Sequence, residues 1–285
     1  MQKIWVCGAC GQIGQAVNDV VDKLEFEMLD TDVDELDVTD TEEVLRFGEM
    51  NRPDIIINCS GMTDIAACEE NPSRAFKVNA LGARNLAIVA AKMQAKMVQL
   101  STDDVFDGKS TEPYTEFDIT NPGTVYGKSK LAGENYVKEF TTKHFIVRST
   151  WVYGKGQNFI NGFLKRVDAG EQLSIASDQF GSPTSANELA RFLLHLVHTS
   201  EYGTYHATNK GVCSRYAFAQ EILKMTGKTA SMQPVPTVMS DFSKVRPAYA
   251  VLDNFIMSMV PIYDFPDWQD SLREYLEERG LYHAE

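Results

Sequence analysis

No stretch of the 285-residue chain approaches the roughly 20 consecutive apolar residues that a membrane-spanning helix needs. The N-terminus runs from Met1-Gln2-Lys3 into Ile4-Trp5-Val6 without the charged, apolar and small-residue regions of a secretory signal, so a cytoplasmic location is expected. Positive charge is scarce: 27 Lys and Arg stand against 40 Asp and Glu, a formal net charge of -13. Such a field repels phosphate and excludes sequence-independent binding to nucleic acid or to an anionic membrane, whereas an anionic small ligand needs only local cations. Cysteine is sparse and odd in number (Cys7, Cys10, Cys59, Cys68 and Cys213), so no disulfide framework is expected. Internal repeats, low-complexity tracts and flexible linkers are absent too. What is left, 44% hydrophobic and 24% charged, is an ordinary globular composition, long enough for a large α/β domain with a smaller lobe.

The first organised feature is a short apolar strand, residues 3–7, followed by Gly8-Ala9-Cys10-Gly11-Gln12-Ile13-Gly14 and a helical pattern through Val17, Val20 and Val21. Strand, glycine turn and helix together make a pyrophosphate site: glycines at 8, 11 and 14 let backbone N–H groups approach the anion at a helix N-terminus, where the dipole favours negative charge. Cys7 and Cys10 also form a C-x-x-C, but no second Cys pair or His cluster completes a metal site, and small side chains in a crowded turn explain them. A second strand, residues 26–29, ends at Asp30, placed to accept hydrogen bonds from the adenosine ribose and to repel a 2′-phosphate; Asp32 competes for that role. Residues 30–40 contain no Lys or Arg, which leans the cofactor towards NADH over NADPH.

Strands at 55–58, 97–101 and 144–148 alternate with helices every 20 to 30 residues, the pattern of a doubly wound parallel sheet. Pro72 opens a long helix carrying Asn79 in its middle, and residues 39–42 supply a helix cap. Strand ends are where such sheets place ligands, so Thr102 in Ser101-Thr102-Asp103-Asp104 is a candidate hydroxyl beside a substrate carbonyl. Tyr126 and Lys130 lie four apart at the start of the next helix and therefore share a face. An ammonium beside a phenol favours the phenolate, which makes the pair a sensible proton donor. Beyond residue 150 the pattern loosens into short strands and helices. We read residues 1–150 as the dinucleotide-binding domain and 151–285 as a smaller substrate-binding lobe, some of whose segments return to the main sheet. His195 and His198 share a helix without a carboxylate partner and read as packing or surface residues.

An ordered set of motifs resembles the dTDP-4-dehydrorhamnose reductases, extended short-chain dehydrogenase/reductases, over nearly the whole chain. It comprises GACGQIG at 8–14, INCSGMTDIAACE at 57–69, STDDVFDG at 101–108, VYGKSKLAGE at 125–134, RSTWVYGKGQNF at 148–159, DQFGSPTS at 178–185, GTYHATNKG at 203–211 and RPAYAVLD at 246–253. The resemblance implies a Rossmann fold and NAD(P)H-dependent reduction of the 4-keto group of a nucleotide-linked 6-deoxyhexose, dTDP-4-dehydro-L-rhamnose to dTDP-L-rhamnose. It implies Thr102, Tyr126 and Lys130 as the catalytic set. Gly8, Gly11, Gln12, Ile13, Gly14 and Asp30 would hold the dinucleotide, with Thr63 and Lys130 close to it. Trp151 would lie beside the sugar and Arg246 near its nucleotide end. Three positions depart from the family: Asp104 stands where a Tyr lining the sugar site is usual, Ile65-Ala66-Ala67 replaces V-D-K, and Asn161 replaces a Lys. Some family members form Mg2+-assisted homodimers, yet no ligand cluster here can be assigned to a metal. Two rival functions stay open on sequence: a cofactor-binding regulatory subunit without turnover, and an epimerase or dehydratase that returns the hydride to the same sugar.

Overall fold

The computed structural model describes residues 1–239 and 248–283. Five strands, β1 (Gln2–Cys7), β2 (Phe26–Thr31), β3 (Ile55–Asn58), β4 (Lys96–Thr102) and β5 (His144–Ser149), form most of one sheet. Between them run α1 (Gln12–Val20), α2 (Thr41–Asn51), α3 (Ile65–Glu70), α4 (Pro72–Phe76), α5 (Ala83–Met93) and α6 (Val125–Phe140). The strand order is β2, β1, β3, β4, β5 with every pairing parallel, so the order reverses between β1 and β3 and opens a crevice beyond their C-terminal ends.

Alternation along the strands explains why the sheet is covered on both faces. Ile4, Val6, Ile57 and Val98 point into one apolar layer, while Trp5, Cys7, Ile56 and Met97 point into the other, against α5. Cutting Ile56 back to Ala would cost about 2–5 kcal/mol, since it is fully buried among strands with no room to relax.

After β5 come β6 (Val152–Tyr153), α7 (Phe159–Asp168), β7 (Leu173–Ala176), β8 (Phe180–Gly181), β9 (Thr184–Ser185), α8 (Ala186–His198) and β10 (Gly203–His206). Two of these return to the main sheet. β10 pairs in parallel with β5 as the sixth strand, and α8 lays Leu189, Phe192, Leu193 and Leu196 into the same apolar layer as α1. Further elements among the described residues are β11 (Cys213–Ser214), α9 (Arg215–Thr226), β12 (Met232–Val235), β13 (Tyr249–Ala250), α10 (Phe255–Met259) and α11 (Trp268–Glu278). α9 and α11 pack with α7 and β7 around a separate core of Phe163, Ile175, Phe218, Trp268 and Leu272.

The long helix expected from Pro72 runs to Met93 but is not uniform: residues Lys77–Gly82 between α4 and α5 form a π-helical segment. Such a bulge inserts one residue per turn and re-aims a side chain, commonly at a functional site. No helix among the described residues is long and apolar enough to cross a membrane.

Candidate active site

Two cavities lie beyond the C-terminal ends of β1, β3 and β4. One, of about 710 Å³, is lined by Gly8, Cys10, Gly11, Thr31, Asp32, Val38 and Arg74. The other, of about 620 Å³, is lined by Gln12, Ile13, Thr63, Thr102, Tyr126, Lys130, Trp151 and Arg215. They meet at Gly11, Cys59, Ser60 and Gly61, residues that border both. A long two-headed ligand can therefore lie across the glycine turn with one end in each cavity.

The turn is built for close approach. Gly8 has φ +77°, a conformation that side-chain-bearing residues rarely adopt, and a Cβ there would fall 2.7 Å from the Ser60 amide nitrogen. Gly14 lines neither cavity; its missing side chain lets α1 pack directly on the Gly8 carbonyl and on Ala9. A pyrophosphate fits the cradle that these glycines leave at the head of α1, and the residues present thus match a nicotinamide dinucleotide. Cys7 is buried and Cys10 exposed, and all five cysteines are free.

The structure separates the two acidic candidates for the ribose, Asp30 and Asp32. β2 runs to Thr31, in register with Cys7, so Asp30 is still on the strand, exposed and outside the cavity. Asp32, the first residue past the strand, lines the cavity and accepts a 2.8 Å hydrogen bond from the Cys10 amide.

The other cavity collects the chemistry. Thr102 ends β4 and caps the following turn: its hydroxyl accepts from the Asp104 amide at 3.2 Å and donates to the Asp103 carboxylate at 3.1 Å. Tyr126 and Lys130 enter from the first turns of α6, which Thr124 caps by accepting from the Gly127 amide at 3.0 Å. Gly127 has no side chain because the Asp104 carbonyl occupies the space, and this lets the helix rest on the Thr102 turn. Asp104, expected to line the sugar site, is buried and not among the residues lining the cavity, although its carboxylate lies 3.5 Å from the Thr102 hydroxyl; its neighbour Asp103 lines the cavity. Trp151 lines the cavity, with a left-handed backbone at φ +47°. Arg246 lies outside the described residues.

α6 is held in register by a buried ion pair. Glu134, one turn beyond Lys130, accepts from Arg148 Nε at 2.9 Å and Nη2 at 2.7 Å, and from Ser101 Oγ at 2.5 Å. Ser101 and Arg148 sit on β4 and β5, so this bidentate contact fixes the helix against the strands that end in Thr102 and Ser149. Lys130 is itself buried. Loss of hydration lowers its pKa from 10.5 to about 8, against the opposing pull of Glu134 and Cys59.

Asn79, which the sequence marks only as a polar residue inside an apolar helix, belongs to this site through the π-helical segment. Its amide accepts from the Met62 N–H at 2.8 Å and donates to the Met62 carbonyl and to Ser129 Oγ, both at 2.9 Å. Asn79 thereby joins the loop after β3 to the Tyr126 helix, whose Ser129 donates to the Tyr126 carbonyl at 2.8 Å. Arg215 is a second residue that the sequence reading passed over. Its available signal was a cation in the first turn of a helix, where the dipole disfavours positive charge. Among the described residues no group of three or more His, Cys, Asp or Glu comes together as a metal site.

Residues 1–280 match the family model described as the RmlD substrate binding domain. The spore coat polysaccharide biosynthesis protein SpsK of Bacillus subtilis is 35% identical over 98% of this chain and 99% of its own length. A Clostridium acetobutylicum structure described as a dTDP-4-dehydrorhamnose reductase superposes with a TM-score of 0.95 at 40% identity, covering 98% of this chain and 100% of that one. A Bacillus anthracis dTDP-4-dehydrorhamnose reductase solved in complex with NADP gives 0.93 at 35% identity, covering 98% and 99%.

Proposed function

Since this chain belongs to the RmlD substrate-binding domain family, we propose that it is an NAD(P)H-dependent reductase of nucleotide-linked 4-keto-6-deoxyhexoses, converting dTDP-4-dehydro-L-rhamnose to dTDP-L-rhamnose. The observation that carries this reading is the convergence of Thr102, Tyr126 and Lys130 in one cavity that joins the glycine turn at Gly11.

When bound there, the dihydronicotinamide supplies hydride to the C4 carbonyl carbon. Tyr126 gives its phenolic proton to the oxygen on which negative charge develops. The Thr102 hydroxyl rotates from Asp103 to donate to the same oxygen, and Lys130 holds the nicotinamide ribose while its charge favours the tyrosinate left behind. The Glu134–Arg148 pair and Asn79 keep α6 and the loop after β3 from shifting as charge moves. Residues 1–150 carry the dinucleotide, and the nucleotide sugar lies against segments from the lobe after residue 150. Assaying NAD(P)H oxidation with dTDP-4-dehydro-L-rhamnose and a panel of other nucleotide 4-keto sugars tests the reading. Stoichiometric oxidation with the dTDP sugar supports it, and cofactor binding without turnover on any sugar contradicts it.

At the adenosine end the preference is for NADH. A 2′-phosphate would meet Asp32 and Asp37 in a cavity where Arg74 is the one base among the described lining residues. The Bacillus anthracis relative was solved with NADP, so the two cofactors require direct comparison. We expect kcat/KM to favour NADH and Asp32→Ser to shift the NADH:NADPH ratio about tenfold towards NADPH, a change of about 1.4 kcal/mol. Equal use of both by the native chain contradicts the preference.

A further inference from the structure

We propose that Arg215 receives the diphosphate of the nucleotide sugar, so that one wall of the cavity, built on Trp151, holds both the anion and the pyranose. The proposal rests on the nucleotide-sugar reading above and assigns the charge recognition that reading requires.

A diphosphate entering a chain of net charge -13 needs a local cation. Among the described residues lining the cavity, only Lys130 and Arg215 carry positive charge. Lys130 is committed to the other side: its ammonium lies 3.7 Å from where a Gly61 Cβ would sit, beside the loop that borders both cavities. In a pyranose C1, which bears the diphosphate, lies across the ring from C4. With C4 facing Tyr126, the diphosphate lies away from Tyr126, and of the two lining cations Arg215 is the one not carried on the Tyr126 helix.

That wall is held rigidly. Trp151 adopts its left-handed backbone although it is not glycine, a conformation that persists only where the surroundings enforce it. Gly181 is one such enforcement, since a Cβ there would stand 2.6 Å from an indole carbon. The Arg215 guanidinium lies 3.4 Å from the centroid of a Trp151 ring and 4.8 Å from that of Phe159. Two aromatic contacts thus set the plane of its donor fork, the geometry that suits bidentate phosphate recognition and that a Lys cannot reproduce.

Arg215 is buried and occupies the first position of α9, where the positive end of a 12-residue helix disfavours a cation. An anion bound at Arg215 reverses the sign of that interaction, because the same helix end then attracts the ligand.

Calorimetric titration of the cofactor-saturated protein with dTDP and with thymidine, on native chain, Arg215→Gln and Arg215→Lys, tests the proposal. The native chain should bind dTDP far more tightly than thymidine. Arg215→Gln should lose about 10- to 100-fold in dTDP affinity with thymidine affinity unchanged. Arg215→Lys, which keeps the charge without the fork, should fall between. In turnover, KM for the nucleotide sugar should rise by a similar factor while kcat stays within a few-fold. Undiminished dTDP affinity in a folded Arg215→Gln overturns the proposal, as does equal weakening of dTDP and thymidine, which marks Arg215 as packing for Trp151. Full dTDP affinity in Arg215→Lys overturns the claim for the fork. A native chain that binds no dTDP and reduces no 4-keto sugar overturns the parent reading along with this one. Tight dTDP binding by native chain and Arg215→Gln alike removes this one alone.

Discussion

One wall of the cavity, carrying Thr102, Tyr126 and Lys130, hangs on a seven-residue strand and a 16-residue helix, whereas the wall carrying Trp151 hangs on two-residue strands and stacked rings. On the first, position comes from regular hydrogen bonding and from the Glu134–Arg148 ion pair. On the second it comes from aromatic packing and one strained backbone. Proton transfer depends steeply on distance and is served by the stiffer construction. Recognition of a sugar and its diphosphate works through several contacts spread over a surface, which short strands and loops can supply and vary.

If that division of labour holds, substitutions on the two walls should separate kcat from KM. The largest effect is expected from Tyr126→Phe, which keeps the ring packed and removes the proton: turnover should fall 10²- to 10⁴-fold with cofactor affinity unchanged, measured by stopped-flow and fluorescence titration. Next is Gly127→Ala, whose methyl has no room against the Asp104 carbonyl and must push α6 off the Thr102 turn; a loss of about 10² in kcat is expected. The matching change on the other wall, Gly181→Ala, displaces the Trp151 indole and should raise KM about tenfold with kcat within a few-fold. A kcat loss equal to that of Gly127→Ala would erase the distinction.

A smaller effect follows from Lys130. Burial favours its neutral amine, so the ammonium is present below about pH 8 and lost above it. Activity of the free enzyme, read as kcat/KM, should drop up to tenfold per pH unit above that point, and Lys130→Arg should flatten this limb at a lower overall rate. Stability runs in the opposite direction. Between about pH 8 and 10.5 the unfolded chain binds the Lys130 proton more than the folded one does, so this group's contribution to stability rises with pH.

The first wall was legible in the sequence because its signals are local: three glycines between a strand and a helix, and a Tyr and a Lys one turn apart. What the structure places differently there is a matter of register. Ending β2 two residues early selected Asp30, whereas pairing with β1 carries the strand to Thr31 and delivers Asp32 to the cavity. The turn after Thr102 brings both the Asp103 and the Asp104 carboxylates to the Thr102 hydroxyl but only Asp103 to the cavity lining, a distinction that no spacing rule assigns without the turn's geometry. Asn79 was visible as a misplaced polar residue, but its reach to Met62 and Ser129 depends on a π-helical segment that periodicity cannot distinguish from a regular helix. The second wall was poorly legible because its contacts span long sequence separations: Trp151 meets Gly181 and Arg215 through tertiary packing alone. Likewise, the helical pattern of α8 was plain, but its place against α1 was not.

The central claim is that this cavity moves a hydride from the nicotinamide to C4 of the sugar, with net oxidation of the cofactor. Incubating the protein with dTDP-4-dehydro-L-rhamnose and dihydronicotinamide carrying deuterium at both C4 positions, and following the label by NMR, tests it most directly. We predict one deuterium at C4 of the sugar product for each cofactor oxidised. Deuterium that stays on the cofactor while the sugar is isomerised, with no net oxidation, would contradict the account and mark the chain as an epimerase.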